Sequence, residues 1–352
     1  MLVSLIKGLP LRSRGAKRLA MADVSSPRPP TAHDVARLAG VSQSAVSRAF
    51  TEGASISAKT REKVIAAASA LGYRPNILAR SLTMESSKLV GMVVGSFDNP
   101  FFAAALDRFT ASLSQRGLRT LLLTAETNAT VDEQVAELLS YRVRAVILLA
   151  VNLSSTLAAE CARSGIPVVL FNRTTEDDQG GFTVTGDNAA GAAAIAARFM
   201  ATGKRRIAFM AGYEDSSTSR QREAAFRSAL AAAGLPEPRR AIGYYTRAGA
   251  IAATRALLAD PADRPDALFC ANDMMALAAI ETMRGMGLEP GRDCAVAGFD
   301  DIPMAAWPSF ALTTYSQPID AMVAQAVAFI TDDAADQRNV VIAGELKLRE
   351  TA

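Results

Sequence analysis

His33 is the only histidine in this 352-residue chain, and Cys161, Cys270 and Cys294 are its only cysteines. One imidazole leaves His-based zinc sites and Ser-His-Asp triads almost nothing to draw on. The cysteines form no CxxC pair, and their odd number argues against a disulfide framework, which fits a reducing cytoplasm. No run approaches 18 uninterrupted apolar residues, so no membrane span is expected. No GxGxxG follows a strand-like run, and GxxxxGK[ST] and GxSxG are missing altogether. These gaps remove the dinucleotide fingerprint, the P-loop and the nucleophile elbow. An enzyme is therefore not expected, and no catalytic residue, metal or cofactor is assigned. The first 20 residues make a poor signal peptide, because Lys7 and Pro10 interrupt the apolar stretch. Residues 1–29 are read either as a disordered basic extension or as a start upstream of the true one at Met21.

What is present is half hydrophobic and 21% charged, enough for two or three ordinary domains. The net charge of +3 hides an asymmetry. Residues 1–85 hold 13 basic and 5 acidic side chains, net +8; the remainder holds 25 and 30, net −5. A basic head on an acidic body suits a polyanion partner, although a solvated basic tail would look the same.

Order is expected to begin after the breaker-rich SSPRPP. Thr31 can cap a helix over residues 33–39, which Gly40 ends. Ser42 can cap a second helix over residues 43–50. Val35, Ala39, Val41, Val46 and Ala49 form a shared apolar face, and Ala36 is small where the helices cross. Gln43, Ser44, Ser47 and Arg48 are left outward. This spacing fits a helix-turn-helix with a polar recognition helix, or an ordinary helical hairpin. A third helix, residues 58–71, is capped by Ser57 and stopped by Gly72. Asn76 can cap a further short segment, residues 77–83, too short to stand alone.

DVARLAGVSQSAVSRAF, SAKTREKVIAAASALGYRPN and LARSL closely resemble the headpiece of the lactose-repressor and purine-repressor family of transcriptional regulators. The resemblance implies double-stranded DNA as partner. Gln43, Ser44 and Arg48 then match positions that reach base edges, with Arg48 the best candidate for bidentate reading of guanine. Thr31, Ser42, Ala45 and Ser47 match nearby DNA contacts. Residues 76–87 match a hinge helix and linker, in which Asn76 begins the helix, Leu82 is the minor-groove wedge and Ala79 the small position beside it. A homodimer on a pseudo-palindromic operator follows from the same resemblance.

Beyond residue 88 the pattern switches to short apolar runs alternating with helical stretches. Residues 89–94, 120–124, 145–150 and 167–171 form one set of strands; 207–210, 241–245, 267–270 and 294–297 form another. Two sets imply an α/β sensor of two doubly wound parallel-sheet lobes, beside the small all-α headpiece at residues 30–75. Three crossings between lobes are expected: near residues 184–191, near 307–317, and before the last strand. They divide the chain into a first lobe of about 88–186 and 312–333 and a second of about 187–311 and 334–352. Ligands of such sheets bind outside the carboxyl ends of the strands. NPFF, ANDMMALAAI, VAGFDD and LTTYSQP extend the family resemblance to its sensor, which is like a periplasmic sugar-binding protein. By that match Arg222, Asn272 and Asp300 form a polar clamp suited to vicinal hydroxyls. Asn99 and Asn172 stand in the adjoining loops. Phe97, Phe101, Phe102 and Tyr245 are placed to cover a ring face, core packing being the alternative for any of them. Asp273 is read as capping the following helix, and Arg173 and Arg220 as extra positive charge for a sugar acid or phosphate, or as surface residues. The resemblance implies a regulator, repressor in sign, controlled by a sugar, sugar acid or polyol. A nucleobase or nucleoside effector, an activator, and more remotely a solute-binding protein remain open.

Overall fold

A computed structural model describes residues 28–51, 53–74, 87–125, 128–151, 154–174, 181–331 and 338–352. The chain divides into two compact units, residues 1–80 and 81–352.

The first unit holds α1 (Ala32–Ala39), α2 (Gln43–Ala49) and α3 (Ala58–Leu71). Each begins where a side-chain oxygen can accept a first-turn amide. Thr31 and Asp34 form a reciprocal capping box, Ser42 accepts from the Ala45 amide and Ser57 from that of Thr60. Gly40 ends α1 at φ 66°, a conformation that a Cβ would strain. Val35, Val46, Val64, Ala67 and Ala68 close the small core. Arg61 of α3 fastens it by donating Nη1 to the Ala49 carbonyl at the end of α2, at 2.7 Å.

The second unit contains two six-stranded sheets of the same order. The first runs β11-β5-β4-β3-β1-β2, from β1 (Leu89–Val94), β2 (Arg119–Thr124), β3 (Ala145–Leu149), β4 (Val168–Phe171), β5 (Phe182–Gly186) and β11 (Asn339–Ile342). The second runs β12-β10-β9-β8-β6-β7, from β6 (Ile207–Ala211), β7 (Arg239–Ile242), β8 (Ala267–Cys270), β9 (Ala295–Asp300), β10 (Thr313–Ser316) and β12 (Glu345–Lys347). The ladders are parallel except for β10 with β12. The central strands β1, β3, β4, β6, β8 and β9 are buried nearly throughout, as a sheet covered on both faces requires. The covering helices are α4 (Pro100–Gln115), α5 (Asn128–Ser140), α6 (Ser155–Arg163), α7 (Asn188–Ala201), α8 (Ser217–Ala232), α9 (Arg247–Leu258), α10 (Asp273–Gly285) and α11 (Ile319–Thr331).

Two expectations are corrected. The lobe boundaries of 312–333 and 334–352 shift, because β10 is in register with β9, Thr313 opposite Ala297, while β11 is in register with β5, Asn339 opposite Thr183. The chain therefore crosses between Gly186 and Asn188, between Ser316 and Ile319, and between Ile342 and Glu345. The strand expected over 241–245 ends at Ile242, since Tyr244 and Tyr245 both take left-handed backbone, φ 56° and 54°.

Candidate functional site: a polar helix face and an interlobe cleft

On the first unit, Ser42, Gln43, Ser44, Ser47 and Arg48 are exposed along one side of α2, while Val46 and Ala49 face the core. Ala45 is corrected: it is 8% exposed and has little surface to offer a duplex. Thr31 is half-buried and committed to its cap, its hydroxyl donating to Asp34 at 2.6 Å, which helps hold that carboxyl down at about 2. Ser42 and Ser44 share a hydroxyl hydrogen bond of 2.9 Å. Asn76, Ala79 and Leu82 lie outside the described residues.

On the second unit a cleft of about 500 Å³ opens at the carboxyl ends of the strands of both lobes. That volume lies within the range of small-molecule sites, ~300–1,000 Å³. Asn99, Phe102, Asn172, Arg222, Tyr245, Asn272 and Asp300 line it, as does Arg173. Two of the expected residues do not. Phe101 is 2% exposed and packs edge-on to Phe102 and stacked on Phe171, because Pro100 and the Asn99 cap turn it inward at the first turn of α4. Phe97 is 44% exposed and stands off the lining.

The centre of the cleft is a buried pair. Arg222, on α8, comes within 3.8 Å of Asp300 at the end of β9, both side chains almost wholly buried. The guanidinium lies 3.6 Å over the Phe299 ring, and its Nε donates to Asn188 at 2.8 Å. Asp300 accepts from Gln317 at 2.7 Å, and from Asn99 of the other lobe at 2.8 Å. Burial pushes its carboxyl up against the opposing pull of Arg222, Asn99, Gln317 and Arg173. Asn99 is thus spoken for at both ends: its oxygen caps α4 and its amide nitrogen ties the lobes together. Asn272 caps α10 by accepting from Met275 at 3.0 Å, so its NH2 is what it can offer a ligand. Asp273 is not the cap. It sits behind the cleft, accepts from Thr314 Oγ1 and the Ile302 amide, and is raised to about 7 by burial and the charge of Asp300.

Three polar atoms on the cleft lining are buried with no hydrogen-bond partner among the described residues: Asn172 Oδ1, Arg222 Nη2 and the Tyr245 hydroxyl. A buried orphan costs roughly 1–3 kcal/mol, so native proteins keep few without a function. Backbone strain gathers at the same place, with positive φ at Ala150, Asn172, Tyr245 and Asp300, all on the lining. Gly212, which composition and motif did not single out, makes room for this arrangement. A Cβ there would stand 2.1 Å from the Tyr245 ring.

Cys161, Cys270 and Cys294 are buried and free. No described helix is long and apolar enough to cross a membrane.

Comparison with known proteins agrees with both units. Residues 31–76 match the bacterial regulatory proteins of the lacI family, and residues 196–352 a periplasmic binding protein-like domain. The chain is 32% identical over 337 residues to the HTH-type transcriptional regulator CelR of Thermobifida fusca, covering 92% of this chain and 98% of that protein. It superimposes on the lac repressor dimer bound to operator and the anti-inducer ONPF with a TM-score of 0.80 at 27% identity, covering 92% of this chain and 99% of the repressor. A transcriptional regulator CelR–cellobiose complex matches with a TM-score of 0.69 at 31% identity over 92% of this chain and 100% of the other.

Proposed function

The chain belongs to the lacI family of bacterial regulatory proteins, and on that premise we propose that it is a repressor whose operator affinity is set by a carbohydrate-class effector in the interlobe cleft. The effector is a sugar, sugar acid or polyol. The observation that carries this reading is the convergence of Asn172 Oδ1, Arg222 Nη2 and the Tyr245 hydroxyl on one cleft. An acceptor, a donor and a group that can be either suit a ligand dense in hydroxyls, each of which both donates and accepts. The cellobiose bound to the related regulator is of that class.

The mechanism follows from where the contacts sit. Asn172 belongs to the first lobe, Arg222 and Tyr245 to the second, so a ligand bonded to all three is a tie between lobes. The existing ties, Asn99 to Asp300, Arg173 to Thr218, Thr174 to Ser217 and Gln221 to Thr174, define one interlobe arrangement. A ligand shifts that arrangement only by binding one state better than another. Its effect on operator affinity is a coupling free energy, and operator must change effector affinity by the same factor.

The exposed face of α2 reads the operator, with Arg48 donating to a guanine and Gln43 and Ser44 beside it. Thr31, Ser42 and Ser47 make the nearby DNA contacts, while Asn76, Ala79 and Leu82 serve the hinge. The lac repressor dimer on its operator supports a homodimer on a pseudo-palindrome. Selection of bound duplexes from random DNA tests this directly. A palindrome with fixed half-site spacing is expected, and Arg48→Ala should relax one base pair per half-site, by about 1–3 kcal/mol per contact. Salt-sensitive background binding with no enriched sequence would overturn the operator reading.

A further inference from the structure

We propose that the effector carries an anionic group, a carboxylate or a phosphate, and that Arg173 reads it. This rests on the cleft being the effector site and narrows what that site takes.

Arg173 follows β4 in the first lobe and is 8% exposed, yet it lines the cleft. Its Nη1 donates to the Asn172 carbonyl at 2.8 Å and, across the cleft, to Thr218 Oγ1 at 3.1 Å. Both acceptors are neutral, and no carboxylate among the described residues forms an ion pair with it. A buried guanidinium with no carboxylate in contact is costly. Asp300 and Asp215 act on Arg173 only from a distance, and Asp300 is shared with Arg222. Arg222 differs in having Asp300 beside it. The deep part of the cleft therefore holds two guanidinium groups, Arg173 and Arg222, against one carboxylate, Asp300; the other acids of the lining, Asp98 and Asp215, are exposed.

The surroundings suit an anion. Ser216 and Thr218 at the start of α8 line the cleft, so the N-terminal, partial positive end of a 16-residue helix borders it. Arg222 Nη2, 3.8 Å from Asp300, adds a donor that makes no hydrogen bond. A guanidinium presents parallel N–H groups that fit carboxylate and phosphate oxygens in pairs. Arg173 already touches both lobes, so an anion bound to it joins the interlobe contact that a neutral ring would leave uncompensated.

The test is melting temperature and titration calorimetry on the full chain at fixed ionic strength. Three panels are compared: neutral pentoses and hexoses, the corresponding aldonic and uronic acids, and the sugar phosphates. Inorganic phosphate and simple carboxylates serve as minimal anions. We expect an acid or a phosphate to bind at least ~10-fold tighter than its neutral parent. The panel that responds separates carboxylate from phosphate. Arg173→Gln should erase the preference, and Arg173→Lys should keep part of it. Arg173→Gln should also raise the unliganded melting temperature, because it removes a buried charge that no carboxylate contacts; a structural arginine would give a fall. A neutral sugar binding as tightly as its acid and phosphate, a preference unchanged in Arg173→Gln, or no response to any anion would overturn the proposal. Neutral sugars binding in the cleft would sink the anion and leave the carbohydrate reading intact. Protection by phosphate or carboxylates with no carbohydrate binding would do the reverse.

Discussion

In the second lobe, the groups that reach the cleft are held from behind. Arg222 rests on Phe299 and donates to Asn188, Asp300 accepts from Gln317, and Asn272 is fixed by its cap. In the first lobe, with the same strand order, Asn172 offers an unpartnered oxygen and Arg173 donates only to neutral acceptors. The second lobe backs its cleft groups from behind while still leaving Arg222 Nη2 and the Tyr245 hydroxyl without a hydrogen bond, and the first lobe leaves Asn172 Oδ1 and a guanidinium with neutral acceptors only. Equal folds thus divide the work of a shared site. On the effector reading proposed above, a ligand would meet braced groups in the second lobe and less committed ones in the first.

Removing the centre of the second-lobe network should have the largest effect. Arg222→Ala takes away the stacking on Phe299 and leaves Asp300 buried without its cation. Breaking a buried pair from one side costs about 3–5 kcal/mol. Urea unfolding checks this, and a loss below about 1 kcal/mol would mean that the network does not hold the lobe.

The same lobe carries a cost that depends on pH. The Asp273 carboxyl is raised to about 7 by burial and by Asp300, against an ordinary 3.8. The unfolded chain therefore ionises first as pH rises, so the group destabilises the fold progressively from about pH 4 to 7 and then levels off, by up to ~1.4 kcal/mol per pH unit. Asp273→Asn can still accept from the Ile302 amide and donate to Thr314 Oγ1. It should match the wild type near pH 4 and exceed it above 7. Parallel stability curves across that range would contradict a raised carboxyl.

The contrast between lobes also explains what the sequence revealed. Arg222, Asn272 and Asp300 are picked out in the sequence by the family resemblance of their motifs, and the structure places all three on the cleft lining. The three headpiece helices were readable because their caps and stops are local. Burial of Phe101 was not readable, because aromatic character beside a loop does not say which way a helix's first turn faces. The lobe boundaries cannot be read locally, because β11 pairs with β5 across more than 150 residues and nothing in NVVI names its partner. Arg173 reads in the sequence as extra charge for a sugar acid or phosphate, or as a surface residue; that it is buried and bonded to neutral acceptors is a property of its surroundings. Gly212 gave no signal, since its role is to be smaller than anything else beside Tyr245.

Gly212 gives a milder way to disturb the second lobe. Alanine there forces its methyl into the Tyr245 ring, and such overpacking costs about 1–3 kcal/mol. Because the ring must shift, effector affinity should fall along with stability. Retained affinity in Gly212→Ala, read by calorimetry, would remove Tyr245 from the ligand's contacts.

The smallest change to the fold is expected in the first lobe, from Asn172→Gly. Glycine takes the φ of 58° without strain, and the backbone amide keeps its 2.9 Å bond to the Val184 carbonyl. The lost Oδ1 has no partner among the described residues, so its removal costs no internal hydrogen bond. Stability should stay within about 0.5 kcal/mol of wild type. Effector affinity should still drop by the worth of a hydrogen bond, about 0.5–1.5 kcal/mol. A variant equally stable and weaker in binding would show that the orphan is kept for the ligand. A clear loss of stability instead would mean that Asn172 supports its own lobe, and the asymmetry between the two lobes would then be one of degree only.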